Sequence, residues 1–152
     1  MKLQKCFLFL LALWSFGGCQ KPRCFDDAGP VTVAERNAAP FTKIELYDNI
    51  NLVLTQDTVE KIKVEGGQHL LPNISTNIAG DALIIKNNVA CNWLRNPNEE
   101  ITVYASVKRL EEVLYNGSGN ITSTNTLTAD RLFFYSHEGA GNINVAMQAE
   151  VG

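Results

Sequence analysis

Beyond its first eighteen residues, this 152-residue sequence allows no amphipathic helix of three turns to be drawn. It also lacks any Cys-x-x-Cys pair, and its two histidines, His69 and His137, are isolated. The first absence excludes helical bundles and alternating β–α architectures, and points to an all-β chain. The second leaves no ligand set with metal spacing, so no metal is expected. Eleven glycines and five prolines are too few for a collagen-like or disordered polymer, and 45% hydrophobic with 19% charged residues describes an ordinary globular chain. Positive charge is scarce as well. Thirteen basic residues face sixteen acidic ones, the opposite of what a nucleic-acid binder carries, so no nucleic-acid partner is expected.

Catalytic signatures are missing in the same way. Ser118 stands between glycines, but a nucleophile elbow needs Gly-x-Ser-x-Gly with a helix behind it. Gly-x-Gly-Asn is followed by strand-like sequence, whereas phosphate cradles use a helix N-terminus. Asn120 and Asn142 stand where a calcium-binding repeat needs aspartate. Glu99-Glu100 and Glu111-Glu112 are adjacent, which on a strand puts each pair on opposite faces. The chain is therefore expected to be no enzyme and to need no cofactor.

The amino end does carry a signal. Lys2 and Lys5 flank a positive start, Cys6 to Phe16 is an almost unbroken apolar run, and Gly17-Gly18-Cys19 supplies small residues for a peptidase. The run is about half of the ~20 residues that a membrane helix needs, so residues 1–18 read as a leader that is removed. With Lys2 and Lys5 gone, eleven basic residues face sixteen acidic ones, a net charge of −5. The leader's end resembles the lipobox of bacterial lipoproteins, with Phe16 where that motif usually has Leu. The resemblance implies that Cys19 is lipidated and that the acyl chains are the contact with the membrane, which places the protein in the bacterial cell envelope as an outer-membrane lipoprotein.

Only Cys24 and Cys91 then remain in the mature chain. In an oxidising compartment two thiols suggest one disulfide, closing a loop of about 67 residues and worth roughly 4 kcal/mol on the chain-entropy model. Two separate thiols are the competing reading. Residues 19–40, with Pro22, Pro30 and Pro40, read as a tether followed by an entering strand at Val31-Thr32-Val33.

From Phe41 onward apolar residues recur every second position: Ile44 and Leu46; Ile50, Leu52 and Leu54; Ile62 and Val64; Leu83 and Ile85; Ile101, Val103, Ala105 and Val107. These are strands with one buried face. Turns are expected at Asp48-Asn49, Gln56-Asp57, Glu65-Gly66-Gly67, Ala79-Gly80-Asp81, Asn87-Asn88 and Asn96-Pro97-Asn98. Lys108 to Glu112 is the one helix-like stretch, about one turn long. The last third contains a repeat. Asn116-Gly-Ser-Gly-Asn-Ile121 and Glu138-Gly-Ala-Gly-Asn-Ile143 share Gly-x-Gly-Asn-Ile at an offset of 22 residues, which also sets Leu110 on Leu132. That period suits a right-handed β-solenoid, or β-helix-like stack of short strands, with Ile121 over Ile143, glycines at positive φ in the corners and asparagines in ladders. A β-sandwich with two similar turns is the alternative.

The pieces Phe41-Thr-Lys-Ile-Glu-Leu, Ile50 to Gln56, Val64-Glu-Gly, Leu70 to Ile78, Gly80 to Ile85, Cys91-Asn-Trp-Leu-Arg95 and the two Gly-x-Gly-Asn-Ile turns, in that order, resemble the head GIN domain family of exported bacterial proteins, often labelled "putative auto-transporter adhesin". The resemblance covers about Cys24 to the end, with residues 41–152 as the β domain. It implies an all-β fold and a binding or adhesion role at the cell surface, without catalytic residues to transfer. A structural or sensory envelope protein with no external ligand, and a carbohydrate-active enzyme on a β-helix, are the other readings. Members usually continue for several more strands, so this chain is expected to stop short of the family's length. Its last segment, Met147 to Gly152, has no proline or basic gatekeeper, so self-association through that edge is expected.

Trp93 and Arg95, two apart on one strand face, are candidate contacts for a glycan or a protein partner; alternatively Trp93 covers the core beside a disulfide. Tyr104, Tyr115 and Tyr135 are a second candidate aromatic face, or half-buried strand residues.

Overall fold

A computed structural model describes residues 27–89 and 100–149. The fold is all-β, and its strands follow from the period-two pattern. They are β1 (Val31–Arg36), β2 (Lys43–Asp48), β3 (Ile50–Gln56), β4 (Lys61–Gly67), β5 (Ile74–Ala79), β6 (Ala82–Asn87) and β7 (Ile101–Val107). The repeat region adds β8 (Glu112–Gly117), β9 (Ile121–Ser123), β10 (Leu127–Ala129), β11 (Phe133–Ser136), β12 (Ile143–Asn144) and β13 (Met147–Ala149). The entering strand is β1. A 3-10 turn, Leu71–Asn73, joins β4 to β5.

Two sheets carry most of the structure, in the orders β1-β4-β7-β3-β9-β12 and β11-β8-β2-β6-β5. Within them β6, β2, β8 and β11 run parallel, side by side. So do β7, β3, β9 and β12, and β10 pairs parallel with β13. The chain thus lies in four tiers: β6 with β7, then β2 with β3, then β8 to β10, then β11 to β13. Sequence order and tier order differ, because the second tier is made first. Antiparallel strands close the lower end: β4 on β7, β1 on β4 and β5 on β6.

Equal positions stack into columns. Val103, Leu52 and Ile121 are neighbours in register, as are Leu83, Ile44 and Val113, and all six are fully buried. These residues from both sheets join one apolar cluster, so each strand's inward face supplies the core that its pattern promised. Ile121 does lie over Ile143, and Leu110 and Leu132 both pack against the cluster.

Three expectations are corrected. Lys108 to Glu111 form a loop and Glu112 opens β8, so there is no helical turn, because Leu110 and Val113 are buried at a corner and at a strand start. Glu65-Gly66-Gly67 is no turn: β4 runs through it and pairs with β1. The repeat's glycines are not at positive φ, a conformation that among the described glycines belongs to Gly29 and Gly80 alone. They answer a crowding problem instead. A Cβ on Gly117 would strike the Asp48 carbonyl, one on Gly119 the Ile50 carbonyl, and one on Gly141 the Gly119 carbonyl. Each corner sits against the backbone of the corner beneath, and only hydrogen fits between.

Candidate functional site

Cys19, Cys24, Cys91, Trp93 and Arg95 lie outside the described residues. In the chain, Trp93 and Arg95 fall between β6 and β7 of the lowest tier. The three tyrosines do not share a face. Tyr115 is buried in the core, Tyr104 is on the six-stranded sheet with its hydroxyl donating to Glu65 at 3.2 Å, and Tyr135 is exposed on the five-stranded sheet. The reason is register: Tyr115 falls on the inward phase of β8, whereas the other two fall on outward phases.

Corner chemistry fixes the scaffold on which any site must rest. The Asn120 amide N–H donates to Asn51 Oδ1 at 2.8 Å, and the Asn142 amide N–H donates to Asn120 Oδ1 at 3.1 Å. The asparagine ladder foreseen for Asn120 and Asn142 therefore has a third rung, Asn51, and Asn51 Nδ2 reaches Glu100 at 3.3 Å. Tyr115 pins the same corner from inside. Its hydroxyl donates to the Gly119 carbonyl at 2.5 Å and accepts from the Gly141 N–H at 2.9 Å, tying the third tier to the fourth. On the far corner the Gln56 side chain acts like a peptide unit, accepting from the Thr128 N–H at 2.6 Å and donating to the Lys108 and Thr128 carbonyls at 3.0 Å. Buried or stacked groups bonded on both sides hold one geometry, which makes the sheet faces rigid.

On that scaffold the fourth tier carries an aromatic pair. Along β11 only Phe134 turns inward against the core, so Phe133 and Tyr135 stand outside, 48% and 46% exposed, with their rings stacked at 6.0 Å and 20°. The alternation Phe133-Phe134-Tyr135 is the sequence signal for this pair, and it is a weak one because β11 is only four residues long and follows no turn motif. Phe133 borders a cavity of about 280 Å³ with Lys43, Arg109, Arg131, Glu111, Glu112 and Asp130. Three cations meet three carboxylates, so the cleft is neutral while rich in hydrogen-bonding groups. Arg109 bridges it, 3.1 Å from Glu111 and 3.8 Å from Asp130. Lys43 bonds Asp81 at 3.1 Å, which raises the lysine's pKa and holds the Asp81 carboxyl below its usual range. Farther along the same sheet, Lys86 sits 4.4 Å over the ring of Tyr47, and the Tyr47 hydroxyl donates to Glu45, which raises its pKa. Among the described residues no group of three or more His, Cys, Asp or Glu could hold a metal ion, and no helix is long and apolar enough to cross a membrane.

A ring platform beside planar charged groups suits a ligand with one apolar and one polar face. Comparison with solved structures places the fold in company. A "putative adhesin" from Bacteroides fragilis aligns with a TM-score of 0.69 at 18% identity, covering 80% of this chain and 56% of that one. A "putative lipid binding protein" from Parabacteroides distasonis aligns at 0.63 and 15%, covering 80% and 61%. A "putative adhesin" from Parabacteroides merdae aligns at 0.56 and 17%, covering 71% and 44%. The chain thus spans roughly half the length of these structures. No curated protein matches it. The model of the family described as "Putative auto-transporter adhesin, head GIN domain" matches residues 40–151, and the chain belongs to that family.

Proposed function

We propose that this chain is a lipid-anchored binding module of the bacterial cell envelope, in which a β-solenoid presents an adhesion surface and Cys19 holds it to the outer membrane. The four-deep parallel ladders with corner glycines and stacked asparagines support the solenoid reading over a sandwich, since sandwich sheets are mostly antiparallel. The observation that carries the binding role is the stacked pair Phe133–Tyr135, nearly half exposed on a rigid sheet beside a charge-balanced cleft. Covering such rings removes apolar area from water at about 25 cal/mol per Å², and the neighbouring carboxylates and guanidinium groups can bond hydroxyls. A neutral glycan fits both requirements, and an aromatic-bearing protein loop is the second ligand class. The family's adhesin label and the cell-envelope address read from the leader point the same way.

An array of glycans and extracellular proteins, probed with the wild-type chain and with the Phe133→Ala/Tyr135→Ala pair, tests this. Binding that falls at least tenfold in the double variant is expected. Trp93→Ala belongs in the same experiment, because Trp93 and Arg95 remain candidate contacts. Silence of the wild type across the array would favour a structural or sensory role without an external ligand. Cys19→Ala should abolish acyl labelling and release the protein from the membrane fraction, and thiol titration of the unfolded, unreduced chain should find Cys24 and Cys91 blocked.

A further inference from the structure

The amino-terminal segment enters the fold at the lower end of the stack. Asp27 follows Cys19 by eight residues, and from there the chain is fastened to the end of β4. The His69 N–H donates to the Ala28 carbonyl and the Gln68 N–H to the Pro30 carbonyl, both at 3.0 Å, and His69 Nδ1 lies 2.9 Å from the Asp27 carbonyl. A Cβ on Gly67 would strike Ala28, so the entry packs tightly on β4. β1, which follows, inverts the pattern of its neighbours. Ala34 faces the core in phase with Thr32 and Arg36, while Val31 and Val33 stand outward, 73% and 52% exposed. In β2, β4 and β7 the aliphatic phase is the buried one. Exposed Lys61 and Lys63 of β4 lie alongside, Lys63 at 3.2 Å from Glu35 of β1.

We propose that this lower rim is a membrane-docking surface: β1 and β4 rest on the headgroups of the leaflet that holds the acyl chains of Cys19, with Val31 and Val33 turned to the lipid. The inference rests on the lipidation of Cys19 proposed above. Two features select the lipid leaflet as occupant. The first is reach. Eight residues span about 28 Å when fully extended and about 16 Å on average as a flexible chain. From β1 to β12 the six-stranded sheet measures about 24 Å, five spacings of ~4.8 Å. Turning the upper tiers to the bilayer therefore draws the tether nearly to its limit, whereas the lower rim meets the bilayer at the tether's ordinary length. The second is charge. Lys21 and Arg23 stand within four residues of Cys19, whereas from Cys24 onward nine basic residues face sixteen acidic ones, a net −7. β1 and β4 escape that excess, with Arg36, Lys61 and Lys63 against Glu35 and Glu65. Anionic headgroups attract the basic stem and accept the rim, and they repel the acidic remainder of the domain. Phe133 and Tyr135, on the strand farthest from β5, belong to the opposite end of the stack, so docking leaves them facing away from the bilayer.

Full-length protein taken from bacterial membranes into vesicles of phosphatidylethanolamine and phosphatidylglycerol, doped with a phospholipid that carries a photoreactive headgroup, tests the surface. Adducts mapped by mass spectrometry should fall on β1 and β4 about five times as often as on β8 and β11. Val31→Asp/Val33→Asp, at two exposed positions, should cut the adducts on the rim about threefold while the protein stays in the vesicle fraction. The wild-type map decides the matter if that variant fails to fold. Adducts spread evenly over the tiers, gathered on β8 and β11, or unchanged in the folded variant would overturn the proposal and leave the lipidation of Cys19 standing. A wild type that never enters the vesicle fraction would overturn both.

Discussion

The two ends of the stack are built from the same kind of tier and finish differently. At the lower end β6 and β7 are covered by antiparallel β5 and β4, with β1 beyond, and the Arg36 guanidinium donates to the Leu71 carbonyl at 2.8 Å across that cap. At the upper end β11 and β12 have one neighbour each among the described residues. In a single column Val103, Leu52 and Ile121 are fully buried and Ile143 is not. Residue type barely changes along that column. Burial here is a property of depth in the stack, so the cost of a substitution should depend on tier more than on chemistry.

The sharpest break of that comparison is a matched pair of truncations. Leu52→Ala, in the second tier, should cost about 3 kcal/mol of unfolding free energy, and Ile143→Ala, in the fourth, less than about 1 kcal/mol, both read by urea denaturation. The glycines separate crowding from backbone conformation. Gly119→Ala drives a methyl into the Ile50 carbonyl and should cost about 2 kcal/mol, whereas Gly80→Ala meets no atom within 4 Å and should cost about 1 kcal/mol, set by its φ of +64°. Equal costs for the two would mean that the corners can relax. Tyr115→Phe leaves the Gly119 carbonyl and the Gly141 N–H without their partner, and should cost about 1–2 kcal/mol. Faster hydrogen exchange at Gly141, with little change at Leu52, would trace that loss to the junction of the third and fourth tiers. Asn120→Ala removes a rung that accepts from above and should cost about 1 kcal/mol, more than Asn142→Ala in the fourth tier.

The smallest effect is on pH. The Thr58 N–H and nearby Lys61 hold the Asp57 carboxyl below its ordinary value, and the hydrogen bond from Lys43 does the same for Asp81. A lowered folded-state pKa stabilises the protein above the unfolded pKa near 4, and that contribution is lost as pH falls through the folded value. Both carboxyls face water, so the melting temperature should decline only slightly between pH 5 and 3 on their account, and less in an Asp57→Asn/Asp81→Asn variant.

Much of the scaffold was legible because period-two burial is local information. Ile44, Leu46, Leu52, Leu83, Ile85 and Val103 announce their inward faces within a few residues. The 22-residue offset of Ile121 and Ile143 announced the stacking of the last two tiers. β5 was missed because only Ile74 and Ile78 mark its apolar phase, with Ser75, Thr76 and Asn77 between. β8 was missed because Leu110 and Val113 mimic helical spacing when one belongs to a corner and the other to a strand. The role of the repeat's glycines was misread because crowding between chain segments 69 or 22 residues apart leaves no trace in one segment's own sequence. Asn51 was likewise invisible as a rung, since its equivalence to Asn120 exists only across tiers. Of the aromatic pair, Tyr135 belongs to the candidate aromatic face of the sequence, whereas no run of period two longer than β11 marks Phe133.

The second tier lies between neighbours that come later in the chain. Ile44 is flanked by Leu83 and Val113, and Leu52 by Val103 and Ile121. A ribosome delivers β2 and β3 before any of their flanking strands, so these two apolar strands are translated 39 to 69 residues ahead of the strands that pair with them in parallel. The hairpin β5–β6 can form as it emerges, but docking it under β2 and laying β8 above requires closing long loops before any burial is gained. Folding should therefore be slow for a domain of this size, and the half-made chain, with Ile44, Leu46, Leu52 and Leu54 uncovered, is a natural client for a holding chaperone.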